Sequence, residues 1–103
     1  MNYYNINHKD EIVSFKEATL RGLGKEKGLF VPEYIPSLSS SFFEEITQKS
    51  NIEIAIEALY PYVTDSFTRE ELQKTLEEVF VFDTPVRELL SNTSVLELFH
   101  GPT

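Results

Sequence analysis

The 103-residue sequence has no cysteine and no tryptophan, and it has only nine basic residues against 17 acidic ones. Without cysteine the chain can form no disulfide, no thiol nucleophile and no thiolate metal site. The net charge of −8 opposes binding to nucleic acids and to anionic membranes. No apolar run approaches the roughly 20 residues that span a bilayer, and residues 1–5 do not resemble a signal peptide. We therefore expect a cytoplasmic protein without nucleic-acid or membrane partners.

The residues that are present predict one folded domain over residues 1–103. The hydrophobic share of 41% and the charged share of 25% are close to those of ordinary globular domains. Four helix starts have the capping-box spacing, in which a Ser or Thr precedes a Glu by three positions. These pairs are Ser14 and Glu17, Ser41 and Glu44, Ser50 and Glu53, and Thr68 and Glu71. The sequence thus predicts about four helices.

Two of these helices have informative apolar patterns. The stretch from Asn51 to about Tyr60 is apolar almost all round, which predicts a helix that is buried or packed against something. Pro61 is expected to end or kink it, because proline cannot donate the helical hydrogen bond. After Thr68, apolar residues at i, i+4, i+7 and i+8 predict an amphipathic helix. Its apolar face comprises Leu72, Leu76, Val79 and Phe80.

Short strands complete the predicted fold. Tyr3, Tyr4 and Ile6 suit an opening strand, and residues 29–31 suit a short buried strand that ends at Pro32. Residues 86–90 fit a strand or a short helix, whereas residues 95–99 fit a strand. The turn cluster at residues 91–94 indicates that these two segments pair as a hairpin. The predicted fold class is therefore α+β, a small single domain.

Most catalytic motifs are missing. The two histidines, His8 and His100, are far apart in sequence, and no His-x-x-His pair exists, so we expect no metal site. No Gly-x-Ser-x-Gly elbow, Gly-x-Gly-x-x-Gly turn or Walker lysine is present. Lys25 and Lys27 flank Glu26, which weakens any anion-binding field, so this segment is interpreted as a solvated turn.

The terminal turn is the remaining candidate site. Backbone amides of Gly101 and Thr103, the Thr103 hydroxyl and the His100 ring are groups that can surround a phosphate or a carboxylate. On the pattern alone a structural turn is the favoured interpretation.

Two blocks of sequence resemble the threonine synthase family. Residues 96–103, which read Leu-Glu-Leu-Phe-His-Gly-Pro-Thr, are similar to the segment that directly precedes the family's pyridoxal-phosphate-binding lysine. Residues 13–18, followed by Gly22-Leu23-Gly24 and residues 28–33, resemble the start of the same family. The blocks lie in family order at opposite ends of the chain. The resemblance implies the amino-terminal domain of a larger pyridoxal enzyme with tryptophan-synthase-like architecture.

The resemblance also implies a reaction. The complete enzyme would convert O-phospho-L-homoserine and water to L-threonine and phosphate with pyridoxal phosphate. The chain is then a truncated piece whose catalytic lysine comes just after Thr103, and whose partners are the catalytic domains of the same polypeptide. It would hold no catalytic or cofactor-binding residue itself, bind no cofactor alone and be inactive alone. His100, Gly101 and Thr103 would form part of the substrate-pocket wall.

Two alternatives stay open on the sequence. The chain could be a free-standing acidic module that binds a protein partner through the helix around Ile52–Leu59. Alternatively, it could belong to a threonine-synthase-like phospholyase with another substrate.

Overall fold

The computed structural model describes residues 1–98. The strands are β1 Tyr3–Asn5, β2 Ile12–Val13, β3 Phe30–Pro32, β4 Val86–Leu90 and β5 Thr93–Leu96. The helices are α1 Phe15–Arg21, α2 Ser40–Glu45, α3 Asn51–Val63 and α4 Arg69–Val79, with 3₁₀ turns at Lys25–Lys27 and Ile46–Gln48. The predicted α+β class with four helices and a few short strands is confirmed.

The first three strands form an antiparallel sheet in the order β2-β1-β3. Tyr3 pairs with Val13 on one side and with Pro32 on the other. Alternation along β1 places Tyr3 and Asn5 in the interior, whereas Tyr4 is half-buried. Pro32 is accommodated because β3 is an edge strand. The prediction that residues 29–31 form a buried strand is wrong in its burial, since Leu29 is exposed and β3 is only half-buried.

The main apolar core lies between α3 and α4. Its buried members are Ile56, Val63, Leu72 and Leu76. Phe15 of α1 packs against this core, with ring centroids 5.8 Å from Tyr3 and 6.2 Å from Phe67. The Tyr3 hydroxyl donates to the Tyr62 carbonyl at 2.9 Å. The three-stranded sheet and the helices therefore share one body.

Three of the four predicted capping residues cap their helices. Full capping boxes form at Ser50 with Glu53 and at Thr68 with Glu71, as predicted. Hydrogen bonds from the backbone N–H and the hydroxyl of the capping residue lower the pKa of both glutamates. Ser14 also caps its helix by accepting from the Glu17 N–H. The Ser14 N–H does not donate to the Glu17 carboxylate, so this cap is half of the predicted box.

The cap of α2 is displaced from its predicted position. Ser39, and not Ser41, accepts from the N–H of Phe42 at 3.1 Å. The helix therefore starts at Ser40, and Glu44 has no capping role in the described structure. Phe42 is buried in this arrangement, whereas Phe43 is exposed.

Two predictions about the long helices need correction. Helix α3 continues through Pro61 to Val63, which is buried in the core, so Pro61 does not end the helix; the predicted kink stays a prediction. The predicted apolar face of α4 is buried only at Leu72 and Leu76; Val79 and Phe80 are exposed. No helix within residues 1–98 is long and apolar enough to cross a bilayer.

Candidate functional site

The predicted site residues His100, Gly101 and Thr103 lie outside the described residues. Their role in a substrate pocket therefore stays a prediction. The structure does describe the segment that precedes them, which is a β-hairpin and residues 97–98.

The hairpin of β4 and β5 leads to the terminal segment. Its strands are antiparallel, with Val86 opposite Leu96 and Arg87 opposite Val95. This confirms the predicted hairpin and decides in favour of a strand at residues 86–90. The two strands are joined by a tight turn at Ser91 and Asn92. The predicted bounds need correction: Thr93 and Ser94 of the predicted turn belong to β5, which spans Thr93–Leu96 and not residues 95–99, the last of which lies outside the described residues.

Glu97 anchors the chain at the point where it leaves the hairpin. Its backbone N–H donates to the Pro85 carbonyl at 3.0 Å, which extends the pairing by one residue beyond β5. Its carboxylate accepts from Nε of Arg87 at 3.2 Å. The Glu97 side chain is only 26% exposed, whereas that of Arg87 is 66% exposed. Main-chain and side-chain contacts thus hold Glu97 on the hairpin.

An apolar cleft lies beside the hairpin. Its walls come from α3 and from the segment that joins α4 to β4, where the rings of Phe80 and Phe82 lie 5.8 Å apart. The lining residues are Asn51, Ile52, Ile54, Ala55, Phe80, Phe82 and Thr84. None of these seven side chains is titratable, so the cleft provides a packing surface and no acid–base chemistry.

The strongest polar cluster surrounds Asn5, at the end of β1. Asn5 is fully buried, with an exposure of 0%. Its Nδ2 donates to the Glu11 carboxylate at 2.6 Å and to the Lys25 carbonyl at 2.9 Å, while its Oδ1 accepts from the Asn7 N–H at 2.9 Å. Gly24 and Gly28 pack so closely against this amide that neither position has room for a Cβ atom.

Glu11 completes this cluster. It accepts from Asn5, from the Arg21 guanidinium and from the Lys25 N–H. The hydrogen bond from Asn5, followed by those from Arg21 and the Lys25 backbone, lowers the pKa of Glu11 to about 2. An acid held ionised with its oxygens occupied is a structural anchor and no general acid. Sequence reasoning missed the cluster; the only signal was the spacing of Gly24 and Gly28.

The surroundings of the lysines of residues 1–98 can be compared with those that a pyridoxal phosphate site needs. A lysine that binds this cofactor must be desolvated so that its amine can lose its proton. Five lysines are exposed on the body: Lys9, Lys16, Lys25, Lys27 and Lys74. The sixth, Lys49, is half-buried, and its Nζ lies 3.7 Å from the Glu45 carboxylate and 4.0 Å from the Glu57 carboxylate. None of the six lysines thus has the apolar, unpaired surroundings that such a lysine requires.

The described residues also contain no cluster that could hold a metal ion. His8 lies beside the charged turn, with its Nε2 3.2 Å from the Glu26 carboxylate. It has no second acidic or histidine ligand within that part of the chain.

The chain was compared with known proteins. A family model described as "Threonine synthase N terminus" matches residues 2–80, from the first strand to the end of α4. The chain belongs to the threonine synthase family. Over its full length it is 36% identical to the threonine synthase of Haemophilus influenzae and 35% identical to that of Escherichia coli. It covers 24% of each of these relatives, so the similarity concerns the amino-terminal part of threonine synthases.

Solved structures agree with the sequence comparison. The crystal structure of threonine synthase from Escherichia coli superposes with a TM-score of 0.91 at 35% identity, over 100% of this chain and 24% of that one. A pyridoxal-phosphate-bound threonine synthase from Brucella melitensis superposes with a TM-score of 0.86 at 28% identity, over 99% and 23%. The predicted family is confirmed, and neither the free-standing module nor the phospholyase alternative gains support.

Proposed function

We propose that this chain is the amino-terminal domain of a threonine synthase that uses pyridoxal phosphate to convert O-phospho-L-homoserine and water to L-threonine and phosphate. The observation that carries the proposal is the match of the entire chain to the start of threonine synthases, including one bound to pyridoxal phosphate. Because the chain spans 24% of these relatives, the activity is proposed for the complete polypeptide.

The cofactor-binding lysine is proposed to follow Thr103. The lysines of residues 1–98 support this assignment, since five of them are exposed and Lys49 is paired with Glu45 and Glu57. When bound, the cofactor supplies the electron sink for the reaction. This chain would contribute to positioning: the hairpin, held at Glu97, would set the direction in which residues 100–103 lead to the lysine.

We further propose that His100, Gly101 and Thr103 line the substrate pocket. Backbone amides and a hydroxyl are donors that suit the phosphate or the carboxylate of the substrate. The support is positional, because these residues follow directly on a segment held by the Pro85 carbonyl and by Arg87.

The test uses the complete gene product and, beside it, residues 1–103 alone. We expect codons after Thr103 to encode a lysine, and we expect the complete protein with pyridoxal phosphate to release phosphate from O-phospho-L-homoserine and to form L-threonine. Residues 1–103 alone should show no cofactor absorbance band after dialysis. A natural stop codon after Thr103, or a complete protein that makes no threonine, would contradict the proposal. A persistent band with residues 1–103 would contradict its cofactor part.

A further inference from the structure

The hairpin of β4 and β5 contains a β-bulge. Glu88 is paired with Ser94, whereas the next pair toward the turn is Leu90 with Thr93. Leu89 is therefore an extra residue in β4, and 62% of its surface is exposed. A bulge disrupts the hydrogen-bonded ladder locally, so we expect it to be offset by contacts that the bulged register makes possible.

The same turn could also lead to a hairpin without a bulge. Pairing that continued without interruption from Leu90 and Thr93 would be shifted by one residue along β5. In this slipped register Glu88 would be opposite Val95. A shift of one residue moves every side chain of a strand to the other face. The slip would thus also exchange the faces to which the residues after β5 point.

Charged side chains distinguish the two registers. In the observed register Arg87 is opposite Val95, so Arg87 and Glu97 are diagonal neighbours on one face. The Arg87 Nε donates to the Glu97 carboxylate at 3.2 Å. Glu88 lies on the opposite face, because faces alternate along a strand. In the slipped register Glu88 would become the diagonal neighbour of Glu97, and Arg87 would be on the other face. Attraction in one register and repulsion in the other therefore both favour the bulged register.

We propose that Arg87 is a positioning residue: by pairing with Glu97 it selects the bulged register, and the register sets how the chain leads on to the lysine after Thr103. The inference rests on the proposed function and names the side chain responsible for the positioning. An exposed ion pair stabilises a fold only weakly. Two registers of the same two strands, however, share most of their contacts, so a small difference suffices to select one of them.

Disulfide trapping in the complete protein measures the register. Val86 and Leu96 are opposite each other, and since the Glu97 N–H donates to the Pro85 carbonyl, they form the closer, non-hydrogen-bonded type of pair. Cysteines at these two positions should therefore form a disulfide in a glutathione buffer, and residues 1–103 contain no other cysteine. In the slipped register the two side chains would be on opposite faces and could not be linked. Mass spectrometry after proteolysis measures the linked fraction at equilibrium.

Charge reversal provides the variants. In the protein with the two cysteines, Arg87→Glu places a like charge beside Glu97, and we expect the equilibrium constant of the disulfide to fall about fivefold or more. Arg87→Lys keeps the charge and should stay within about twofold of the parent, as should Arg87→Glu combined with Glu97→Arg, which reverses the pair. Lys74→Glu on the exposed face of α4 makes the same change of net charge and is the matched control. Equal constants for Arg87→Glu and Lys74→Glu, or no recovery with the reversed pair, would overturn the inference.

The same substitutions without the cysteines test the positioning role. Arg87→Glu should lower the rate of threonine formation about fivefold or more. Its thermal midpoint should change by less than about 3 °C, because the Arg87 side chain is exposed. Arg87→Lys and the reversed pair should recover the rate to within about twofold. An unchanged rate in Arg87→Glu would overturn the positioning role, and this series decides the question alone if the cysteine pair prevents folding.

The two assays separate this inference from the proposed function. An unsubstituted complete protein that makes no threonine would contradict the proposed function, whereas the disulfide equilibrium would still decide whether Arg87 selects the register. If the complete protein makes threonine and Arg87→Glu behaves like Lys74→Glu in both assays, only the inference is contradicted.

Discussion

Replacing Asn5 with alanine should destabilise the amino-terminal body, because it removes a fully buried amide that joins three segments. The Lys25 carbonyl and the Asn7 N–H would each lose their partner. A buried polar group left without a partner costs about 1–3 kcal/mol. Both residues are near the surface, where water replaces part of the loss. We therefore expect a decrease of about 2–3 kcal/mol in the free energy of unfolding, out of about 5–15 kcal/mol for a typical domain.

The measurement is urea denaturation followed by circular dichroism at 222 nm, because the chain has no tryptophan to report by fluorescence. Asn7→Ala is the matched control: it removes the same amide from an exposed side chain whose Nδ2 makes a single contact at 3.2 Å with the Glu26 carbonyl. That variant should change the free energy of unfolding by no more than about 0.5 kcal/mol. If Asn5→Ala and Asn7→Ala unfold at the same urea concentration, the buried Asn5 amide does not stabilise the fold.

Two further predictions concern the Glu11 carboxylate and the core residue Leu76. Folding lowers the pKa of Glu11 from 4.5 to about 2, so the stability that Glu11 contributes is fully present above pH 4.5 and is lost as the pH falls toward 2. The variant Glu11→Gln should therefore show a smaller decrease of the urea midpoint with falling pH than the unsubstituted protein. An unchanged decrease would refute this role of Glu11. Leu76→Ala should cost about 2–5 kcal/mol because Leu76 is buried between α3 and α4. Val79→Ala, on the exposed part of the same helix, should cost less than about 1 kcal/mol in the same denaturation series.

The features that sequence could predict are local. The capping boxes at Ser50 and Thr68 depend on residues three positions apart, so they form wherever the chain turns into a helix. The hairpin was similarly predictable from two apolar segments and the turn cluster between them. The family was predictable because the two blocks of resemblance read directly from the residues, and the comparisons confirm it.

The features that sequence could not predict depend on distant contacts. The capping-box spacing favoured Ser41 with Glu44 for α2, but the helix is capped by Ser39 and buries Phe42. Pro61 carries a local signal to stop, but the packing of Val63 in the core outweighs it. The cluster around Asn5 joins positions up to 20 residues apart, and no local pattern marks an asparagine that will become fully buried. The roles of His100, Gly101 and Thr103 stay predictions.

The closure around Asn5 has a consequence for a protein without cysteine. By binding the backbone of Lys25, the Asn5 side chain ties the end of β1 to a turn that lies 20 residues further along the chain, much as a disulfide would close a loop. A loop closed by hydrogen bonds, unlike one closed by a disulfide, can open and close again without an oxidant. Refolding of this segment therefore requires no thiol chemistry, and reducing agents should leave its rate unchanged.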